Sequence, residues 1–241
     1  MNRSLFAERH PYWFVAILEV VAIFCGLLAG TVAHFANLSN PEVNGIGHLV
    51  LTVIAALLLT GMGWWKVVGF RSPGKPSDLL YFIIPFLPIL INLIPGVQVT
   101  SLFLLTETLV FTLLIGFSEE VIFRGLMLNA LKARGFWRAA IITSLLFGFL
   151  HSMNALNGES VADLAMQLCY ATAMGFAFAA LVLKKGILWP LVIAHFLTDF
   201  ADFNKSPGFT LPPGWDWLIT VSISVIFMAY GVFVMLQRDK E

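Results

Sequence analysis

Three charged residues, Glu119, Glu120 and Arg124, interrupt an apolar run that begins near Leu102 and ends near Leu131. A charge at the centre of a membrane helix costs about 2.5 to 3.5 kcal/mol even on a lenient insertion scale, so this cluster needs protein partners or water. On a helix Glu120 and Arg124 lie four apart on one face with the acid first, the favourable order for an ion pair. Adjacent Glu119 points about 100° away and is left free for acid-base or ligand work.

Two histidines and an aspartate stand in comparable surroundings. Phe147-Gly148-Phe149-Leu150-His151 closes one apolar run, and His195 and Asp199 lie four apart on one face of another, with Asp202 three further on. Lys132 is 13 residues beyond Glu119, Arg138 is 13 before His151, and Lys185 is 10 before His195 and 14 before Asp199. At about 1.5 Å per residue these groups share one slab, roughly 15 to 21 Å from a belt of basic residues. Unrelated structural accidents have no reason to place two acids and two imidazoles at one depth on three helices. A shared site does.

The elements that must position them are membrane helices. Of the 241 residues, 59% are hydrophobic and only 12% are charged, against about 45 to 50% and about 25% in soluble domains. The net charge is zero, so no global field favours nucleic acid. Cys25 and Cys169 have no metal-ligand spacing and read as packed thiols. A span needs about 20 mainly apolar residues, and eight candidates fall at 14–34, 47–65, 79–96, 101–131, 138–153, 163–183, 188–202 and 216–236. The first exceeds the apolar core of a secretion signal and reads as an uncleaved helix.

With a cytoplasmic N-terminus, Arg3, Arg9, Lys66, Arg71, Lys75, Lys132, Arg134, Arg138, Lys184, Lys185, Arg238 and Lys240 all fall inside. Only Lys205 falls in an outer loop, and Arg124 is intramembrane. This asymmetry follows the positive-inside rule and puts both termini in the cytoplasm. Trp64, Trp65, Trp137 and Trp189 border the inner loops, and Trp215 and Trp217 the last outer one, as interfacial anchors do. Pro85, Pro88 and Pro95 break the third segment, which suits a cavity wall. The fourth is long enough to tilt or project. The fifth and seventh are short, and short helices can end at water. Glu19 in the first helix reads as an acid that snorkels or pairs.

Such a site can activate water in two ways. In one, Glu119 is the general base and, with His151, orients a water against a peptide carbonyl, while His195 and Asp199 stabilise the oxyanion or orient a donor. In the other, Glu119, His151 and His195 hold zinc, with water in the fourth position. The HExxH helix of many zinc proteases is absent, which favours the first version and leaves the second open.

Glu119-Glu120-x-x-x-Arg124, Phe147-x-x-x-His151 and His195-x-x-x-Asp199, in this order, resemble the motifs of the CPBP family of intramembrane proteases, which includes the type II CAAX prenyl endopeptidases and bacteriocin-processing and immunity proteins. The resemblance covers roughly residues 101–202, including the Lys184–Pro190 turn. It implies an endopeptidase in which Glu119 and His151 activate water and His195 with Asp199 stabilise the oxyanion. Asn also occurs at the Asp199 position in the family. Metal dependence is disputed there, so Zn stays possible.

The expectation is therefore an all-α, polytopic membrane bundle of about eight helices, a single integral-membrane domain over 1–241 with its catalytic core near 101–202. Its partners would be the lipid bilayer and a membrane-associated peptide or protein substrate of CAAX or leader type, with no nucleic acid. The compact chain resembles prokaryotic plasma-membrane members. The rival readings are a non-catalytic scaffold or immunity factor and a small proton-coupled transporter. Clustering of the charges in the second half, with one Pro-broken segment, disfavours the transporter.

Overall fold

The structure is a computed structural model, described for residues 5–36, 40–209 and 211–238. Helix α1, Pro11–Ala36, starts on a proline, which suits a first turn where the missing N–H would have no partner. Helix α2 is Asn40–Met62. Helix α3 begins at Leu102, capped by Ser101, whose Oγ accepts the Leu104 N–H. It runs as α-helix to Glu120, widens into a π-helix over Val121–Met127 and closes with Leu128–Leu131. Gly135, at φ +116°, turns the chain into α4, Phe136–Leu150, which tightens into a 3-10 turn, His151–Asn157. Ser160 caps α5, Val161–Lys185, and left-handed Gly186 ends it. Helices α6, Trp189–Phe203, and α7, Trp215–Arg238, complete the bundle.

The protein is a polytopic helical bundle. Six of the expected segments are helices long and apolar enough to cross a membrane. The other two are not. Helix α6 has 15 residues, about 22 Å at 1.5 Å per residue, against a hydrocarbon core of about 30 Å. The expected third span is two 3-10 pieces, Pro76–Phe82 and Ile84–Phe86, followed by a short helix, Leu87–Asn92. Proline removes a backbone donor and clashes with the preceding turn, and Pro85 and Pro88 are buried at these breaks. This segment walls an apolar groove of about 300 Å³ that includes Leu79, Ile83, Leu87 and Leu90.

The two undersized elements lie against one another. Asn92 Nδ2 donates to the Thr198 carbonyl. At the basic end of the bundle, Leu188 N–H donates to Gly69 O at 3.0 Å, and Arg71 Nε donates to Gly186 O at 2.8 Å. At the opposite end, Gln98 N–H donates to Asn204 O, and Ser206 N–H to Gly96 O. Helix α6 is thus tied by backbone bonds at both ends.

Helix α5 packs between α4 and α7 through small residues, with Ala171, Ala173, Gly175, Ala177, Ala179 and Ala180 buried. Small side chains let membrane helices approach closely, where dispersion rather than water release holds them. Helix α3 contacts both α2 and α6.

Three expectations from the sequence need correction. Trp64 is 7% exposed and belongs to the core rather than to an interfacial belt. Cys169 is exposed, whereas Cys25 is packed. Glu19 neither snorkels nor pairs, because α1 is enclosed by its neighbours there: it is 7% exposed, and neither carboxyl oxygen has a hydrogen-bond partner among the described residues. Arg3 and Lys240 lie outside the described residues.

Candidate active site

Glu119 and Glu120 end the α-helical part of α3, and Arg124 stands in the π-helix that follows. Such wide turns are rare and concentrate at functional sites. Glu120 and Arg124 are both fully buried, and Arg124 Nη1 donates to Glu120 Oε1 at 3.1 Å. The guanidinium lies over the Phe147 ring with Cζ 3.9 Å from its centroid, where the ring face attracts the cation. Gly175 leaves room for it, since a Cβ there would meet Nη2 at 2.8 Å.

The same Glu120 Oε1 is 2.8 Å from His195 Nδ1. A carboxylate only accepts, so Nδ1 carries the hydrogen and Nε2 faces the other way. There it meets two further carboxylates, Glu119 Oε2 at 3.7 Å and Asp199 Oδ2 at 3.6 Å. The Glu120–Arg124 pair therefore does more than cancel charge. It fixes the tautomer and orientation of an imidazole on another helix.

That placement depends on how closely α3 and α6 approach. At Gly116, one helical turn before Glu119 and Glu120, a Cβ would lie 2.8 Å from the Phe196 nitrogen and 3.0 Å from the Val192 carbonyl oxygen. Pro190 in the first turn starts α6 without wasting an internal donor.

His151 ends α4, and its Nδ1 is 2.9 Å from the Phe147 carbonyl oxygen. A carbonyl only accepts, so here too Nδ1 is the donor and Nε2 is left for other work. The Phe147 ring lies edge-on to both His151, at 4.8 Å, and His195, at 6.1 Å. Glu119 lies within the electrostatic reach of His195, His48 and His151.

The structure brings Glu119, His195 and Asp199 together, with Glu120 and Arg124 behind His195 and His151 alongside. Asp202 does not join them, since it pairs with Lys205 at the exposed end of α6. One residue escaped the sequence reading: His48 of α2, whose Nε2 is 3.9 Å from Glu119 Oε1. The depth count that located the others does not single it out, for His48 is 18 residues before Lys66, the first basic residue after α2. Phe147, noted in the sequence only as part of a motif, emerges as the support for Arg124 and both rings.

A His₂Glu zinc site needs three donors about 2.0 to 2.2 Å from one point. Among the described residues no three His, Cys, Asp or Glu groups are gathered to hold a metal ion. The expected set of Glu119, His151 and His195 does not form such a group. The residues as placed do not fit the metal.

The fold and site define a polytopic helical membrane protein with a buried cluster of carboxylates and imidazoles. A family model described as type II CAAX prenyl endopeptidase, Rce1-like, matches residues 101–201. The "Putative membrane peptidase YdiL" of Bacillus subtilis (strain 168) is 28% identical over 190 residues. That alignment covers 77% of this chain and 66% of the relative, just under two thirds of the relative's length. Both matches support membership in the CPBP family of intramembrane proteases.

Proposed function

We propose that the protein is an intramembrane endopeptidase that hydrolyses a peptide bond in a membrane-associated substrate, near its C-terminus or in a leader segment. The observation that carries this reading is the Glu119 carboxylate held beside the His195 imidazole inside the bundle, 8% exposed. Glu119 Oε2 is buried with no hydrogen-bond partner among the described residues, and a buried carboxylate oxygen calls for one. Water in the site would satisfy it.

Peptide hydrolysis needs a base to take a proton from water and a donor to meet the developing oxyanion. Glu119 acts as the base, and His151 stands alongside to help orient the water. In its imidazolium form His195 carries a hydrogen on Nε2, which would serve the oxyanion, with Asp199 3.6 Å away to balance the charge. The Glu120–Arg124 pair keeps Nδ1 of His195 committed, so only Nε2 takes part. The proton held by Glu119 then passes to the leaving amine as the C–N bond breaks.

The test is purified protein in proteoliposomes with a quenched, lipid-anchored fluorescent peptide, its products identified by mass spectrometry. The wild type should cleave and Glu119→Gln should not. Equal turnover by the two would remove Glu119 from the chemistry.

A further inference from the structure

We infer that His48 belongs to the reaction centre and shares one water molecule with Glu119. The inference rests on the hydrolytic reading above and extends it to a helix, α2, that lies outside the segment matched by the family model.

The hydrogen bonds around His48 point to one tautomer. Its Nδ1 is 3.0 Å from Ser118 Oγ, and that hydroxyl donates its single hydrogen to the Ile115 carbonyl at 3.2 Å. Ser118 therefore accepts, Nδ1 of His48 donates, and Nε2 is turned toward Glu119 with its lone pair. His48, His151 and His195 thus share one pattern. Each commits Nδ1 to a protein acceptor, Ser118 Oγ, Phe147 O and Glu120 Oε1 respectively, and each keeps Nε2 for the site.

Between His48 Nε2 and Glu119 Oε1 the gap is 3.9 Å, beyond the 2.7 to 3.2 Å of a direct N–H···O bond. A water oxygen about 2.8 Å from each atom fits across this gap and subtends an angle of about 90°, near the H–O–H angle of about 105°. Both atoms accept, and water has two hydrogens to give. The charged or titratable groups acting on His48 are Glu119 of α3, His195 of α6 and His151 at the end of α4. The side chain of His48 is 20% exposed.

In the reaction the water oxygen bonds to the carbonyl carbon, and the hydrogen directed at Glu119 leaves as the proton that this carboxylate takes. The second hydrogen stays on His48 Nε2 as a hydrogen bond and holds the attacking lone pair in line. Collapse of the tetrahedral species breaks the C–N bond, and Glu119 returns its proton to the amine nitrogen.

The deciding experiment is proton-nitrogen correlation spectroscopy of the full-length protein, labelled with ¹⁵N-histidine, in detergent micelles at neutral pH. The His48 ring should be the Nδ1–H tautomer, and its Nε2 resonance should move in Glu119→Gln. A ring protonated on Nε2, alone or together with Nδ1, or an Nε2 resonance unmoved by Glu119→Gln, overturns the inference. On the quenched, lipid-anchored peptide, His48→Ala should lower kcat by about ten-fold or more, leave KM within about two-fold, and regain rate with added imidazole. An unchanged kcat also overturns it. Failure of the wild type to cleave would sink the hydrolytic reading, while the spectra still decide whether His48 and Glu119 are coupled.

Discussion

Gly116 of α3 lies against the backbone of Phe196 on α6, so close that a Cβ at Gly116 would stand 2.8 Å from the Phe196 nitrogen. The next turn of α3 carries Glu119 and Glu120, and the neighbour of Phe196 is His195. Helix spacing and site geometry are therefore one quantity. Gly116→Val should cost about 1 to 3 kcal/mol from overpacking. It should also lower turnover by about 10²-fold through a displacement of about 1 Å. Thermal unfolding and peptide cleavage measured on one preparation check both.

Glu119→Gln and His151→Ala should each reduce turnover by about 10² to 10⁴-fold, as loss of a general base or its partner does. Among the described residues neither side chain holds two helices together through a direct hydrogen bond, so the unfolding midpoints should stay near that of the wild type. A variant that kept full activity would release its residue from the assigned role.

Glu120 is predicted to behave differently. Its carboxylate is the acceptor for both Arg124 and His195, and removal of one member of a buried pair typically costs about 3 to 5 kcal/mol because the other is stranded. Glu120→Ala should therefore unfold at markedly lower temperature. Glu120→Leu combined with Arg124→Met should recover much of that loss while turnover stays low, because His195 has lost the acceptor that orients it. Recovery of both properties would show that the pair plays no part in positioning the ring.

At the basic end of the bundle, Asp78 accepts from Lys185 Nζ at 2.8 Å and from the Lys75 backbone N–H at 2.9 Å. The Lys185 bond, followed by the Lys75 bond, holds the Asp78 carboxyl below its ordinary value of 3.8. A depressed carboxyl contributes stability that is complete above the unfolded value of about 3.9 and disappears as pH falls through the lower folded value. The wild type should therefore unfold above Asp78→Asn by a constant margin from about pH 8 to about pH 5, and the margin should close below about pH 3. A margin that persisted in strong acid would assign the effect to something other than ionised Asp78.

The sequence made the long helices legible because their apolar length is unambiguous: α1, α2, α3, α4, α5 and α7 fall where hydropathy puts them. The segment around Pro85 and Pro88 was legible as broken, since proline dictates it locally, but its companionship with α6 was not. That depends on Asn92 reaching the Thr198 carbonyl across 106 residues of chain. In the candidate site the Glu120–Arg124 pair follows from i,i+4 spacing. Its second acceptor role toward His195 does not, because no local rule relates residues 75 apart. His48 went unnoticed because an isolated histidine near the end of a span has no neighbour in sequence to mark it. The Ser118 hydroxyl that orients it comes from another helix.

The backbone bonds that tie both ends of α6, Leu188 to Gly69 and Gln98 to Asn204, bear on how the protein meets bilayers of different thickness. A helix too short to match the hydrocarbon layer takes its height from its protein neighbours, not from lipid. Thicker or thinner membranes would change the tilt of the long outer helices, yet His195 would travel with α3 and stay level with Glu119. Catalysis should then be buffered against changes in lipid chain length that alter the rest of the bundle.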